Sequence, residues 1–304
     1  MLLLAPWLTP LGAHISDDGL TARMQIATLE GGHVRVPRNV SYVLMEAGCS
    51  DQDTLLQDML PLHPQALVIS FEPLLDKYAF HVGNASAKFY GKNAMDFGVP
   101  LGHAQPRSIV LPLAISLDGG LQTINVSPIA GCSSLLRVNS SAAWANSKCR
   151  SVMERRLVDS IRLVDAISLV PLALPILRLK LDVQGIDFRA VRSVPGDILR
   201  RRVVFLDVEV KKDKCKSLYE QQESCSIVMA YMAAIGFQHV LPGANGSSRA
   251  LTRGCLHLPW DNLCEANARF LNMAQREVVT KWPLPYKLGS QMWREMPRVD
   301  EEHG

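Results

Sequence analysis

The stretch Ile176-Leu177-Arg178-Leu179-Lys180-Leu181-Asp182-Val183-Gln184-Gly185-Ile186-Asp187 decides how the chain is read. Its first part, residues 176–183, is a short apolar run of strand length, and Gly185 gives a tight exit into a helix expected over residues 186–192. Lys180 and Asp182 alternate with leucines, so both project from one face of the strand. Charges inside so apolar a strand are costly unless they are paired or stand at its open end. Asp182, close to the terminus, is therefore expected to face a cleft, with a structural Lys180–Asp182 pair as the plain alternative.

The same grammar recurs on either side. Further apolar, β-rich runs lie at residues 41–45, 66–71, 108–115 and 202–210. Near-continuous hydrophobicity is the mark of strands covered on both faces, as in a parallel sheet. Helical sequence fits at residues 54–60 and 226–235, where Gly236 supplies a stop before another run at 237–241. This order predicts an α/β fold: a doubly wound, mostly parallel sheet with helices on both faces and ligands bound beyond the carboxyl ends of its strands. Residues 118–175 are too long for a simple crossover and are expected to give a helix and loops over that face. No Pro/Gly/Ser-rich linker divides the chain, so residues 1–40 are read as an extension, 41–275 as one domain, and 276–304 as a tail that wraps the surface or frays.

Composition narrows the function classes. The 304 residues are 48% apolar and 20% charged, as in a globular protein with a sizeable core. A net charge of +3 builds no field for nucleic acid or a membrane surface, and the basic clusters Arg200-Arg201-Arg202 and Lys211-Lys212 read as solvated helix ends or loops. The most hydrophobic internal stretch, 161–183, carries Arg162, Asp165, Pro171, Pro175, Arg178 and Lys180, which excludes a membrane span there. The apolar start, Met1 to Leu8, lacks a preceding basic residue and reads as a core-docked terminus, with a trimmed signal or anchor as the alternative. Seven cysteines without a C-x-x-C pair read as buried thiols of a reducing compartment. Five N-x-S/T triplets, at Asn39, Asn84, Asn125, Asn139 and Asn245, leave a secretory route open beside a cytoplasmic one. The eight histidines have no metal-binding spacing, so no metal centre is expected.

Two turns carry candidate chemistry. Glu46-Ala47-Gly48-Cys49-Ser50-Asp51 follows the first run; glycine lets a backbone approach a ligand, while helix amides and a carboxylate grip its polar end. A plain tight turn is the alternative. Val68-Ile69-Ser70-Phe71-Glu72-Pro73 ends the second run, and a carboxylate at that tip is placed to accept two adjacent ribose hydroxyls, with a surface glutamate before a turn as the plain alternative. Asp207 and Glu209 share a face at the end of the fifth run, and either could reach the same cleft.

Taken in order, these pieces resemble the FkbM family of S-adenosylmethionine-dependent methyltransferases over roughly residues 42–272. F-E-P after the second strand is followed by Leu113-Ala114-Ile115-Ser116-Leu117-Asp118-Gly119-Gly120, similar to the family's A-I-S-x-x-x-G stretch, and by Gly131-Cys132-Ser133-Ser134-Leu135-Leu136, similar to its S-S-L segment. L-K-L-D-V-Q-G-I-D resembles the K-x-D-x-E/Q-G-x-E signature, and the Glu209 strand the family's late acidic strand. Leu218-Tyr219-Glu220-Gln221-Gln222, Ile235-Gly236-Phe237 and Glu265-Ala266-Asn267-Ala268-Arg269-Phe270-Leu271-Asn272 follow in the expected order. The resemblance implies a Rossmann-like class I methyltransferase sheet and O-methylation of a hydroxyl on a sugar or secondary-metabolite-like small molecule. It implies that Glu46, Gly48 and Ser50 hold the amino-acid end of S-adenosylmethionine, Glu72 its ribose, and Ala114, Ile115 and Ser116 the adenine edge. Asp182, Lys180 and Glu209 become the candidate catalytic residues, and Ser133, Ser134 and Gln184 line the acceptor site.

The family's first loop, D-x-G-A-N-x-G, is altered here. Glu46 stands for its Asp, Ser50 for its Asn and Gln52 for its last Gly, while Asp187 replaces a Glu later on. A side chain at Gln52 narrows the room for the methionyl end and supports a competing reading, a degenerate methyltransferase fold serving as a non-catalytic binding or scaffold protein. A nicotinamide-dependent oxidoreductase would need G-x-G-x-x-G where this chain offers Gly48 alone. The expected partner is a small-molecule acceptor, with neither nucleic acid nor a stable membrane span.

Overall fold

A computed structural model describes residues 29–50, 55–90, 103–129, 131–141, 149, 152–241, 249–250, 255, 264–275 and 277–278. In chain order the strands are β1 (Leu29–Glu30), β2 (His33–Val34), β3 (Tyr42–Ala47), β4 (Ala66–Phe71), β5 (His103–Gln105), β6 (Ser108–Leu111), β7 (Ala114–Ser116), β8 (Gly120–Val126), β9 (Glu154–Arg162), β10 (Ile176–Leu181), β11 (Val203–Lys211), β12 (Phe237–Leu241), β13 (Arg249–Ala250) and β14 (Glu265–Asn272). The helices are α1 (Leu55–Asp58), α2 (Leu75–Tyr90), α3 (Leu163–Ser168), α4 (Asp187–Ser193), α5 (Gly196–Arg202) and α6 (Cys225–Ala234).

Nine strands form the main sheet in the order β13-β12-β14-β11-β10-β3-β4-β6-β5. The joints β11/β10, β10/β3, β3/β4 and β4/β6 are parallel. The joints β5/β6, β11/β14, β14/β12 and β12/β13 are antiparallel. A separate three-stranded sheet, β7-β9-β8, is mixed as well. The expectation of a doubly wound, mostly parallel sheet is thus corrected. Half of the main-sheet pairings are antiparallel, and the six helices among the described residues are mostly short and alternate with the strands only in part. Apolar run length reveals that a strand is buried but carries no signal for the direction of its neighbour.

Local chemistry explains one further departure. The run at 108–115 is two strands in two sheets, because Pro112 has no amide for a ladder and its fixed φ turns the chain, with Leu113 N bonding back to Leu111 O at 2.8 Å. The described part of residues 118–175 supplies the short helix α3 and a loop at the cleft, as expected, and adds the β8/β9 pair, which extends over seven register positions.

The five strands joined in parallel are almost entirely buried, with β3 and β4 buried along their whole length. One apolar cluster joins Met45, Ile69, Leu179 and Leu206 to Phe188 and Val191 of α4 and Met232 of α6. A second, from the alternate positions, joins Leu44, Val68 and Phe205 to Leu55 and Leu56 of α1. Burying side chains of this size stabilises by about 1.5–3 kcal/mol each, so register is fixed wherever both faces are covered. The basic cluster at the end of α5 is only partly solvated: Arg200 and Arg201 are exposed, whereas Arg202 is buried and donates to the carbonyls of Val170 and Pro171.

The reading of seven buried thiols is corrected too. Cys132 pairs with Cys149, Cys215 with Cys264 and Cys225 with Cys255, leaving Cys49 as the one free thiol. The partners lie 17, 49 and 30 positions apart and meet only in three dimensions, so their spacing carries no pairing signal. No helix among the described residues is long and apolar enough to cross a membrane.

Candidate functional site

A row of charges crosses the middle of the main sheet. Glu46, Lys180 and Asp207 stand directly opposite one another on β3, β10 and β11, and Arg269 of β14 continues the row. Lys180 Nζ donates to Glu46 Oε1 at 2.9 Å, and Glu46 Oε2 accepts the Leu55 amide at 2.6 Å. Burial lifts the Glu46 carboxyl to about 7 against the opposing pull of Lys180. Asp207 receives both the Arg178 and Arg269 guanidiniums at 2.6–2.9 Å. Burial alone would raise its carboxyl, but the two cations outweigh burial and hold it well below the usual carboxylate range.

Above this row, the carboxyl ends of β3, β4, β6 and β10 open into a cleft. Loop-to-strand hydrogen bonds lace these ends together: Gly48 N to Phe71 O, Glu72 N to Leu111 O and Asp182 N to Ala47 O, each at 3.0 Å. Gly48, at φ +77°, presents its bare Cα to β10, where a Cβ would lie 1.9 Å from the Asp182 carbonyl oxygen. Only glycine allows that approach.

Glu72 is buried beside it, and its carboxylate accepts the Ser50 amide at 3.1 Å and the Leu74 amide at 3.0 Å. Burial pushes this carboxyl up, against those amides and the nearby Lys77. Ser50 is gripped from three sides: its amide by Glu72, its carbonyl by His81 Nε2, and its Oγ by Lys77 Nζ at 3.1 Å. That grip sustains a left-handed φ of +44° at a non-glycine residue.

The opposite lip is the β10–α4 turn. Asp187 accepts the amides of Val183 at 2.7 Å and Gly185 at 2.9 Å, and burial together with the Asp182 charge lifts its carboxyl to about 6. Gln184, at φ +56°, donates to Asp182 Oδ1 at 2.7 Å and accepts the Tyr219 hydroxyl at 2.9 Å. A Cβ at Gly185 would fall 2.7 Å from the Tyr219 ring, so Tyr219 seals the turn from behind. Ser134 Oγ donates to the Gln184 carbonyl at 2.6 Å, fastening residues 131–136 over this lip, and Cys132–Cys149 ties the same segment to the chain beyond. Leu113, Ala114, Ile115 and Leu135 complete an apolar wall.

The cleft therefore gathers Gly48, Ser50, Glu72, Ala114, Ile115, Ser133, Ser134, Asp182 and Gln184 from the residues singled out in the sequence. Glu46 and Lys180 lie beneath it, bonded to each other. Ser116 is outside the lining, bonded to Ser160 Oγ and the Gly119 amide. Glu209 lies half-buried on β11, also outside the lining, where its charge helps raise the Tyr219 hydroxyl after burial. Gln52 lies outside the described residues. No group of ligands able to hold a metal ion occurs among the described residues.

Lys77, His81 and Tyr219 are part of the site without having stood out as functional residues. Lys77 and His81 are four positions apart and so share a helix face, but no motif marks the helix that carries them. Comparison with family models, curated proteins and solved structures finds no match to this chain in any of the three.

Proposed function

We propose that the cleft binds S-adenosylmethionine and that the protein methylates a hydroxyl of a sugar or secondary-metabolite-like small molecule. The observation that carries this reading is the placement of Glu72, a buried carboxylate at the tip of β4, in one cleft with the bare Gly48 turn and with Asp182. A carboxylate there suits two vicinal ribose hydroxyls, since each oxygen keeps a lone pair beyond the amide it accepts. The apolar wall of Leu113, Ala114, Ile115 and Leu135 suits a purine face, and the tight approach at Gly48 leaves backbone at the amino-acid end.

Bound there, S-adenosylmethionine supplies an electrophilic methyl group on a sulfonium. The chain's own tasks are then alignment and exclusion of water. Asp182, half-buried at the lip and held by Gln184, is the group placed to orient an acceptor hydroxyl and take its proton. Lys180 supports the floor through Glu46, and Ser133 and Ser134 shape the acceptor side. Three cystines favour work in an oxidising compartment over the cytoplasm.

Calorimetry with S-adenosylhomocysteine tests the reading. Wild-type binding is expected, with Glu72→Ala weakening it about tenfold or more while circular dichroism is unchanged, the loss matching charge-assisted hydrogen bonds. No heat at millimolar ligand would sink it and leave the non-catalytic binding fold.

A further inference from the structure

The cleft contains one ammonium group among its lining residues, that of Lys77. It stands in the first turn of the sixteen-residue helix α2, where a cation opposes the helix dipole. No carboxylate among the described residues comes within the 4.0 Å of an ion pair, and the single hydrogen bond of Nζ goes to the neutral Ser50 Oγ at 3.1 Å. Lys180, the neighbouring lysine, is bonded to Glu46 and lies outside the lining. A half-buried cation kept against the dipole, and without a direct ion pair among the described residues, is left with donors directed to whatever fills the cleft.

We infer that Lys77 is the anion contact of this site and that it takes the carboxylate of the ligand's amino-acid tail. This rests on the reading of the cleft as an S-adenosylmethionine site and adds to it the residue that distinguishes the whole cofactor from a bare nucleoside. Glu72 is an acceptor and suits hydroxyl donors; Gly48 offers backbone alone. The Nζ of Lys77 lies against Ser50, two positions beyond Gly48, on the side where the tail belongs. The alternative is that Lys77 acts only through Ser50, holding the turn in shape for any ligand. The two roles differ in which ligands they affect.

The test compares S-adenosylhomocysteine with 5′-methylthioadenosine, the same nucleoside thioether without the amino-acid group, by calorimetry on the full chain. Lys77→Met is expected to weaken S-adenosylhomocysteine about tenfold or more, the scale of a charge-assisted hydrogen bond, and to leave 5′-methylthioadenosine within about twofold. Lys77→Arg, which keeps the charge, is expected to retain most of the affinity. Equal weakening of both ligands would overturn the inference in favour of a turn-shaping role, and no change in either would overturn it outright. In both cases wild-type binding leaves the cofactor reading standing. Wild-type protein that binds neither ligand overturns both.

Discussion

The Cα of Gly48 and the carbonyl oxygen of Asp182 face each other so closely that a Cβ on residue 48 would sit 1.9 Å from that oxygen. The two residues end adjacent parallel strands, β3 and β10, and their contact sets the width of the cleft between them. Gly48→Ala must both adopt a positive φ and push β10 aside, at a combined cost of roughly 2–5 kcal/mol. The expected result is a clear fall in the thermal midpoint together with loss of S-adenosylhomocysteine binding. An alanine variant with wild-type stability would show that the two strand ends are not held in contact.

Asp207 lies between Arg178 and Arg269, and removing its charge leaves two partly buried guanidiniums facing each other. Asp207→Asn is expected to cost about 3–5 kcal/mol in denaturant unfolding, the range for breaking a buried ion pair from one side. The sign with pH follows from its depressed carboxyl. Its stabilising contribution is fully present above the ordinary value of 3.8 and is lost as pH falls below it. Acid unfolding of the asparagine variant should lack this component.

Glu46 behaves in the opposite sense. Burial lifts its carboxyl from 4.5 to about 7, so between those values the folded protein holds a proton that the unfolded chain has released. Stability therefore falls as pH rises from 4.5 to about 7, by up to about 3 kcal/mol from this group alone. Asp187, lifted to about 6, adds to the slope. Urea midpoints measured across this window should decline with pH in the wild type and decline less in Glu46→Gln. A wild-type midpoint rising through the window would contradict the assignment.

Three cystines make a chemical prediction that needs no ligand. Alkylation of the denatured, unreduced protein should label Cys49 alone, and prior reduction should expose all seven thiols. Closing a loop as long as that of Cys215–Cys264 is worth about 4 kcal/mol on chain-entropy grounds, so reduction should also lower the thermal midpoint markedly. Reduction of Cys132–Cys149 additionally frees residues 131–136 from one of their anchors over the cleft, so S-adenosylhomocysteine affinity should fall with it. Seven labels before reduction would remove the case for an oxidising compartment.

Much of the cleft was legible because its residues belong to short local patterns. Glu72 beside Pro73 marks a strand tip, Gly48 and Gly185 mark turns that no other residue fits, and Asp182 is the polar end of an apolar run. Lys180 and Asp182 share a face as the alternation requires, yet they are not each other's main partner. Lys180 turns to Glu46, 134 positions away, at 2.9 Å, while Asp182 lies 4.0 Å off and binds Gln184. Alternation gives the face of a strand and is silent about the strand beside it.

By itself the sequence determined where the central strands run, which glycines close them and which carboxylates stand at their ends, since burial period and backbone freedom are properties of a few consecutive residues. Tertiary structure alone decided the mixed strand directions, the pairing of β7 with β9 in a second sheet, the cystine partners and the presence of Lys77 in the cleft. Each of these depends on which distant segments become neighbours. That choice is made by the packing of the whole core, not by any single stretch of the chain.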